Sequence, residues 1–408
     1  MDFSEVRKVS KTLRDSLAQW QRELHRHPEV GLDLPLTRKV VLDALGLIGL
    51  KKNSRQFEGG IVVDIAGEKG EDSPAVALRV DMDALPIAER TGLSYASSID
   101  GYMHACGHDA HTAIGLGVAA VLQKLRARWL GSVRLLFQSG EEMMRGAKSL
   151  LEQGVLDSPR VAAILGLHLD PHIPEGSVGI RSGQVNAWVD EFSLIVTGKA
   201  AHGAAPHHSV DPVVAFSFAV QAFQTIVSRN VAPGTAAVIS VGRIGGGRTY
   251  NIIPECVSMD GTVRSLNPDT RELIHSRMDA IAKGIENAFG VEAVLTFRQG
   301  APPVVCDEAL TEACLLLMKK VLKEDRIKTI PSPKMGGDDF AFLAEQVPGC
   351  MIRLGTKTKG CSFPLHSSRF CFKETVLEFG TALFSYLLIG LDGQQRRAGY
   401  TPVRSTSK

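Results

Sequence analysis

The sequence predicts an α/β protein of two domains, in which a mixed, mostly parallel sheet forms the larger domain and a ferredoxin-like β-α-β-β-α-β unit is inserted into it. Three observations predict this. The chain has 408 residues, 44% hydrophobic and 22% charged, enough for two globular cores of ordinary size. Before residue 187, short β-branched runs of nearly continuous apolarity alternate with helical periodicity, as buried parallel strands under covering helices would. Beyond it the rhythm changes to alternating strands and two long helical stretches.

Leu13, Leu17, Trp20 and Leu24 fall at helical spacing, giving an amphipathic helix that ends near Pro28. Runs 76–80, 133–137 and 161–167 read as strands, with a helix through Ile114, Val118, Val121, Leu122 and Leu125 between the first two. In the insert, Phe192, Leu194 and Val196 alternate as a strand, 213–229 reads as a helix, and 238–244 and 257–263 read as successive strands. Asn267, Pro268 and Asp269 start a helix over 270–289, and 291–297 is the last strand. The larger domain is therefore expected at 1–186 plus 299–391, resuming after Pro302 and Pro303, and the insert at 187–298. Residues 392–408 form a polar tail expected to be disordered.

Lys plus Arg number 46 against 44 Asp plus Glu, and the net charge of +2 offers no broad field for nucleic acid or an anionic membrane. A small molecule or short peptide is the expected partner. The start at Met1 lacks a basic-then-apolar leader, and no apolar run approaches bilayer-spanning length, so a cytoplasmic protein is expected. Seven cysteines, an odd number scattered along the chain, do not form the pattern of a disulfide framework. Most are expected to be reduced core residues.

The densest chemical signal is His104, Cys106, His108, Asp109 and His111, just before a helix. Imidazole and thiolate are ligands for zinc or a similar divalent ion, and Cys106 and His108, two apart in a turn, can converge on one ion. Other polar groups stand where strands end: Asp81 and Asp83 after 76–80, Glu141 and Glu142 after 133–137, and His168 after 161–167. All would lie at the carboxyl edge of one sheet, where open α/β folds bind ligands. Adjacent Glu141 and Glu142 cannot face the same way on an extended chain, which suits one carboxylate on a metal and one moving a proton. Asp81 and Asp83 could instead cap the turn before Pro86. The run Gly245-Gly246-Gly247 lacks a following Lys-Ser or Lys-Thr and reads as a strand-connecting turn.

Leu78-Arg79-Val80-Asp81-Met82-Asp83-Ala84-Leu85-Pro86 and Met103-His104-Ala105-Cys106-Gly107-His108-Asp109-Ala110-His111 together resemble the signature of the metal-dependent amidohydrolases that include hippurate hydrolase and plant auxin-conjugate hydrolases, within the wider group of aminoacylases and carboxypeptidase G. The resemblance covers nearly the whole chain. It continues through Gly166-Leu167-His168, Gly198-Lys199 with His202, Asn251-Ile252-Ile253-Pro254, Gly261-Thr262-Val263-Arg264, Asp338-Asp339-Phe340 and Leu365-His366-Ser367. It implies that Cys106, His108, Glu142, His168 and His366 hold two divalent ions per subunit, zinc or manganese, with Glu141 as general base and Asp81 and Asp83 in support. It implies hydrolysis of the amide bond of N-acyl amino acids, or, with the same machinery, of dipeptides, carboxy-terminal residues or an acetylated diaminopimelate. It further implies a homodimer whose inserted domain is a lid: His202 would stabilise the oxyanion in the neighbouring subunit, and Asn251 and Arg264 would hold the substrate carboxylate. Arg264 read by itself is equally a surface residue of its strand. Ser139-Gly140 stands where Pro-Ala is usual, bulky Met143, Met144 and Arg145 follow where small residues are common, and Gly336-Gly337-Asp338-Asp339 departs modestly from the pattern. These departures bear on the substrate, because none removes a proposed ligand or base.

Overall fold

The computed structural model describes residues 1–68 and 74–398. Packing divides them into two compact units, one of Met1–Val185, Val304–Ser332 and the chain from Asp338 onward, the other of Asn186–Pro303 and Pro333–Gly337.

The first unit is built on an eight-stranded sheet in the order Ser54–Phe57, Gly60–Ala66, Ser132–Gln138, Ala75–Asp81, Val161–Pro174, Gly349–Lys357, Val178–Ile180, Ile327–Thr329. Its four central strands run parallel, while the outer pairings include antiparallel ones. Every residue of Ala75–Asp81 and of Ser132–Gln138 is buried, which explains why these two runs are apolar without alternation. Helix His108–Lys124 lies against this sheet and is itself covered by Thr375–Ala398 and the amino-terminal helices. Gly115 allows the close approach, since a Cβ there would meet Val80 and Phe137 at 2.9 Å.

Several expectations need correction. The amino-terminal helix is two, Phe3–Lys11 and Arg14–Arg26, because the Thr12 and Leu13 N–H groups turn back to the Val9 and Ser10 carbonyls. Helix Pro35–Ile48 and the strands Ser54–Phe57 and Gly60–Ala66 had no counterpart in the sequence reading. The strand expected to end at His168 continues to Pro174, because it pairs with Gly349–Lys357 beyond the point where its pairing with Ala75–Asp81 stops. The expected polar tail begins inside the last helix, which runs to Ala398 and buries Asp392; residues 399–408 of that tail lie outside the described residues. The window Thr375–Asp392 is also long and apolar enough by composition to cross a bilayer, contrary to expectation, but 78% of it is buried within the unit, as in a core helix. Four cysteines, 106, 306, 314 and 350, are free and buried as expected, whereas Cys361 and Cys371 form a disulfide and Cys256 is exposed.

The second unit follows the order strand Trp188–Thr197, helix Pro212–Thr225, strands Ala237–Gly246 and Cys256–Ser265, helix Pro268–Phe289, strand Glu292–Gln299. Its four strands are all antiparallel, with Trp188–Thr197 and Cys256–Ser265 in the centre. Phe192, Leu194, Val196, Phe216, Phe223, Met259, Ile274 and Met278 form its core, between the sheet and the two helices. Asn267 caps the long helix by accepting from the Asp269 and Thr270 N–H groups, and Gly290 ends it in the left-handed conformation.

The turn carrying Cys106 and His108 depends on Gly107, which has φ 84° and no room for a side chain: a Cβ would lie 2.7 Å from Leu169 Cδ1. Gly107→Ala is expected to lower the unfolding free energy by about 1–3 kcal/mol. The denaturant midpoint measures it, and an unchanged midpoint would mean that the turn accepts a Cβ.

Candidate metal centre

The polar groups converge on one end of the parallel strands in the first unit. Asp81 closes its strand and Asp83 follows it; Cys106 sits in the turn before helix His108–Lys124, and His108 is the helix's first residue. Glu141 and Glu142 follow strand Ser132–Gln138 through Gly140, which takes φ 68°. That left-handed turn accounts for glycine at this departure from the usual family pattern. His168 lies within its strand, two residues past the last pairing with Ala75–Asp81, at Arg79 and Gly166. His366 comes from the loop after strand Gly349–Lys357 and also has a left-handed φ, 62°.

Donor atoms of Cys106, His108 and His168 lie within 4.8 Å of one another, and so do those of Cys106, Glu142 and His366. Two donor groups thus share one thiol. Cys106 Sγ is 3.6 Å from His168 Nε2, and His366 Nε2 is 3.4 Å from Glu142 Oε1. All five proposed ligands are brought together. Glu141, next to Glu142, is 5% exposed, and it is held in place from behind. Asp83 accepts the backbone N–H groups of Glu141 and Glu142, each at 3.0 Å, and stands 3.5 Å from His108 Nδ1. His111 donates from Nδ1 to Asp81 at 2.5 Å and accepts the Leu169 N–H at Nε2, which fixes its tautomer.

The residues that the sequence reading left without a role sit one layer deeper. Arg79, fully buried, donates to Asp81 at 2.6 Å, to Asp339 at 2.9 Å and to the Gln138 amide oxygen at 2.9 Å, and lies 3.3 Å from Asp338. Gln138 and the Ala147 N–H also donate to Asp339. The signal was an arginine inside an apolar strand, since a buried charge requires partners. Asp338, Asp339 and Glu141 have carboxylate oxygens within 4.8 Å of one another. Burial, then the charges of Asp338 and Glu142, push Glu141 well above the ordinary carboxylate range. Burial raises Asp339 to about 7 against the pull of Arg79.

The arrangement fits divalent cations on two counts. His108 Nδ1 and Nε2 and Glu142 Oε1 are buried with no hydrogen-bond partner. Asp81, Asp338 and Asp339 share the single guanidinium of Arg79, while Asp83, Glu141 and Glu142 gather on the His108 side of it, an acidic cluster that a buried site sustains only with added positive charge or protons.

His202, Asn251 and Arg264 belong to the second unit. The two-residue strand Ala201–His202 pairs with Ile252–Ile253, which brings His202 beside Asn251. His202 Nδ1 accepts the Ala204 N–H at 3.0 Å, leaving its proton on the exposed Nε2. Arg264 is half-buried and donates to Thr262 and the Val263 carbonyl of its own strand.

The pattern of Peptidase family M20/M25/M40 matches residues 77–389. The chain is 40% identical over 367 residues to the N-acetyl-L-cysteine deacetylase of Bacillus subtilis (strain 168), covering 90% of this chain and 86% of that one. It is 34% identical over 385 residues to thermostable carboxypeptidase 1 of Saccharolobus solfataricus, covering 93% and 96%. The YXEP protein of Bacillus subtilis, a dinuclear metal binding peptidase from the M20 family, has a TM-score of 0.76 and 31% identity, covering 94% of this chain and 99% of that one.

A second buried network secures the helix that begins with His108. Asp109 accepts from Gln21 Nε2 at 2.6 Å and from His25 Nδ1 at 2.7 Å, and His25 Nε2 is 3.3 Å from Glu89. Burial opposes charge on His25, yet Asp109 and Glu89 outweigh it and raise its pKa to about 10. Burial likewise opposes the Asp109 carboxylate, and His25, His104 and Gln21 overcome it, lowering its pKa to about 2. His25 gains two carboxylates, which explains its larger displacement. The His25 contribution is full below its unfolded value of 6.5 and lost as pH rises through about 10. The Asp109 contribution is full above 3.8 and lost as pH falls through about 2. His25→Gln is therefore expected to lower Tm most between pH 3.8 and 6.5, with the deficit shrinking towards pH 10. A deficit independent of pH would mean that His25 acts by packing alone.

Proposed function

Because the chain belongs to peptidase family M20/M25/M40 and is a metal-dependent hydrolase, we propose that it cleaves the amide bond of N-acyl amino acids, with Glu141 as general base and Cys106, His108, Glu142, His168 and His366 holding two divalent ions, zinc or manganese. The observation that supports this reading is that Glu141 lies outside the two donor groups that share Cys106, yet has a carboxylate oxygen within 4.8 Å of donor atoms of His108 and Glu142, within reach of a water held there. Bound there, the ions supply Lewis acidity to a water and to the scissile carbonyl. The Glu141 carboxylate takes the proton of the attacking water and delivers it to the leaving amine nitrogen. Asp83 fixes the backbone of Glu141 and Glu142 together, so base and ligand keep one register. The His202 Nε2–H donates to the oxyanion, and Asn251 and Arg264 hold the substrate carboxylate. The deacetylase relative supports an N-acyl substrate, and the carboxypeptidase relative supports free peptides as the second reading.

A substrate panel of N-acetyl, N-benzoyl and dipeptide forms separates these readings. Chelation is expected to abolish hydrolysis, and Glu141→Gln to lower kcat at least ~100-fold with metal content and fold unchanged. Near-normal turnover in the glutamine variant would sink the assignment of Glu141.

The second unit is proposed as a ferredoxin-like lid through which two copies dimerise, His202 serving the neighbouring subunit. Strand Ala237–Gly246 is an edge of its sheet, and such an edge can pair with a symmetry mate. His202→Ala and Glu141→Ala chains, inactive separately, are expected to regain about a quarter of the sites when dissociated and reassembled in equal amounts, because half the dimers are mixed and each holds one complete site. No recovery after verified subunit exchange would place His202 within its own chain's chemistry or outside it.

A further inference from the structure

The disulfide between Cys361 and Cys371 closes a loop ten residues long in sequence, with 5.3 Å between the Cα atoms, and His366 stands midway along it. The two arms of this loop are held unequally. On the carboxyl side, Phe370 is buried, donates its N–H to the Ser367 carbonyl, and lies near Gly107; the Ser368 carbonyl accepts the Arg90 N–H. On the amino side, residues 362–364 are exposed; the Pro364 carbonyl accepts the Ser367 N–H within the loop, and the arm's other backbone bonds are at its far end, where Thr358 and Cys361 exchange hydrogen bonds. At its centre His366 is held in the left-handed conformation at φ 62°, which L-residues with side chains adopt at a cost of about 1–3 kcal/mol. Its N–H donates to the Ala105 carbonyl, next to Cys106, and its ring reaches 3.4 Å from Glu142. The geometry thus gives one covalent link control of the loop's free arm.

We propose that Cys361 and Cys371 are a thiol–disulfide modification site, open to small thiols and dithiols, whose oxidised form positions His366 beside Cys106 and Glu142. The inference rests on the reading of His366 as a metal ligand. Both sulfur-bearing residues are partly exposed, so a thiolate can attack the bridge through a mixed disulfide. The protein S–S bond breaks, two protein S–H groups form, and two small thiols lose one electron and one proton each and join as a disulfide. Reduction removes the loop-closure constraint, and the free arm lets His366 leave its left-handed conformation. Cys106 and Glu142 then remain without their third donor. In a reducing compartment, where persistent structural disulfides are rare, the bridge is a reversible device rather than a permanent brace.

The test uses the full chain, oxidised, loaded with manganese or zinc, and compared with Cys361→Ser/Cys371→Ser so that no reductant competes for metal. Alkylation followed by mass measurement is expected to modify neither cysteine in the oxidised chain and both after reduction and removal of the reductant. In titration with a chelator, the double variant is expected to release one of its two ions at about 10-fold or more lower chelator concentration, the usual loss when support for a ligand is removed. The other ion should be released as in the parent. Leu365→Gly, which loosens the same arm with the bridge intact, is expected to fall between the two. Equal retention of both ions by parent and double variant would overturn the clamp while leaving the metal reading intact; a parent that holds no metal would overturn both. Alkylation of both cysteines before any reduction, in protein exposed to oxidised glutathione, would show that no bridge forms and would also end the proposal.

Discussion

The structure of the site depends on one buried guanidinium. Arg79 lies on a central strand among apolar neighbours, with no exposed surface, and gathers Asp81 from its own strand and Asp338 and Asp339 from the other end of the chain. Removing such a partner leaves carboxylates buried and uncompensated, which is among the costliest changes a core can suffer. Each carboxylate then carries the constraint outward: Asp81 to His111, and through it to the Leu169 N–H on the strand that bears His168; Asp339 to Gln138 and Ala147, on either side of the Glu141–Glu142 turn. The donor groups are backed by a buried ionic layer in which Arg79, Asp81, Gln138 and Asp339 bond to one another.

The backbone conformations around the site follow the same logic. Gly107, Gly140, Met144 and His366 all have left-handed φ values, and each lies within three residues of a proposed ligand or base. At Met144 and His366, which carry side chains, such backbone is strained, and it persists where the surroundings over-determine it. Here the surroundings are the Asp83 carboxylate bonding two successive N–H groups, the buried Leu169 and Phe370 beside Gly107, and the Ala105 carbonyl holding His366. Side chains from four separate segments can meet only if the turns that carry them bend more sharply than ordinary residues prefer.

Much of this was legible in the sequence, for reasons of locality. Runs 133–137 and 270–289 announced the strand Ser132–Gln138 and the helix Pro268–Phe289 within two residues, because apolar continuity and an Asn-Pro-Asp start are short-range signals. Cys106, His108, Glu142 and His168 were nameable because they stand next to such elements or inside a dense motif, whereas His366, in a loop, came only from the family resemblance. The Arg79–Asp339 bond joins residues 260 positions apart, and no periodicity reports a partner at that distance. His168 looked like a strand end because the apolar run stops there; the strand continues because a neighbouring strand supplies hydrogen bonds to polar residues that carry no strand signal of their own. The Cys361–Cys371 bridge escaped a reading based on cysteine number, since one local bridge in a chain with five free cysteines leaves the overall pattern irregular.

The same ionic layer sets the strength of the proposed base. A carboxylate that must take a proton from water works best when its proton affinity approaches that of the surroundings, and burial with like charges nearby is the means available to a protein. Glu141 has both, through burial and the proximity of Asp338 and Glu142. Arg79 limits the effect by pairing Asp338 and Asp339, so that Glu141 faces partly neutralised neighbours instead of two free negative charges. Cations among Cys106, His108, Glu142, His168 and His366 would pull its proton affinity down further. Base strength is then a balance between a fixed arginine behind the carboxylate and the charge held in front of it, and the fold controls the first by placing Arg79 where no water can screen it.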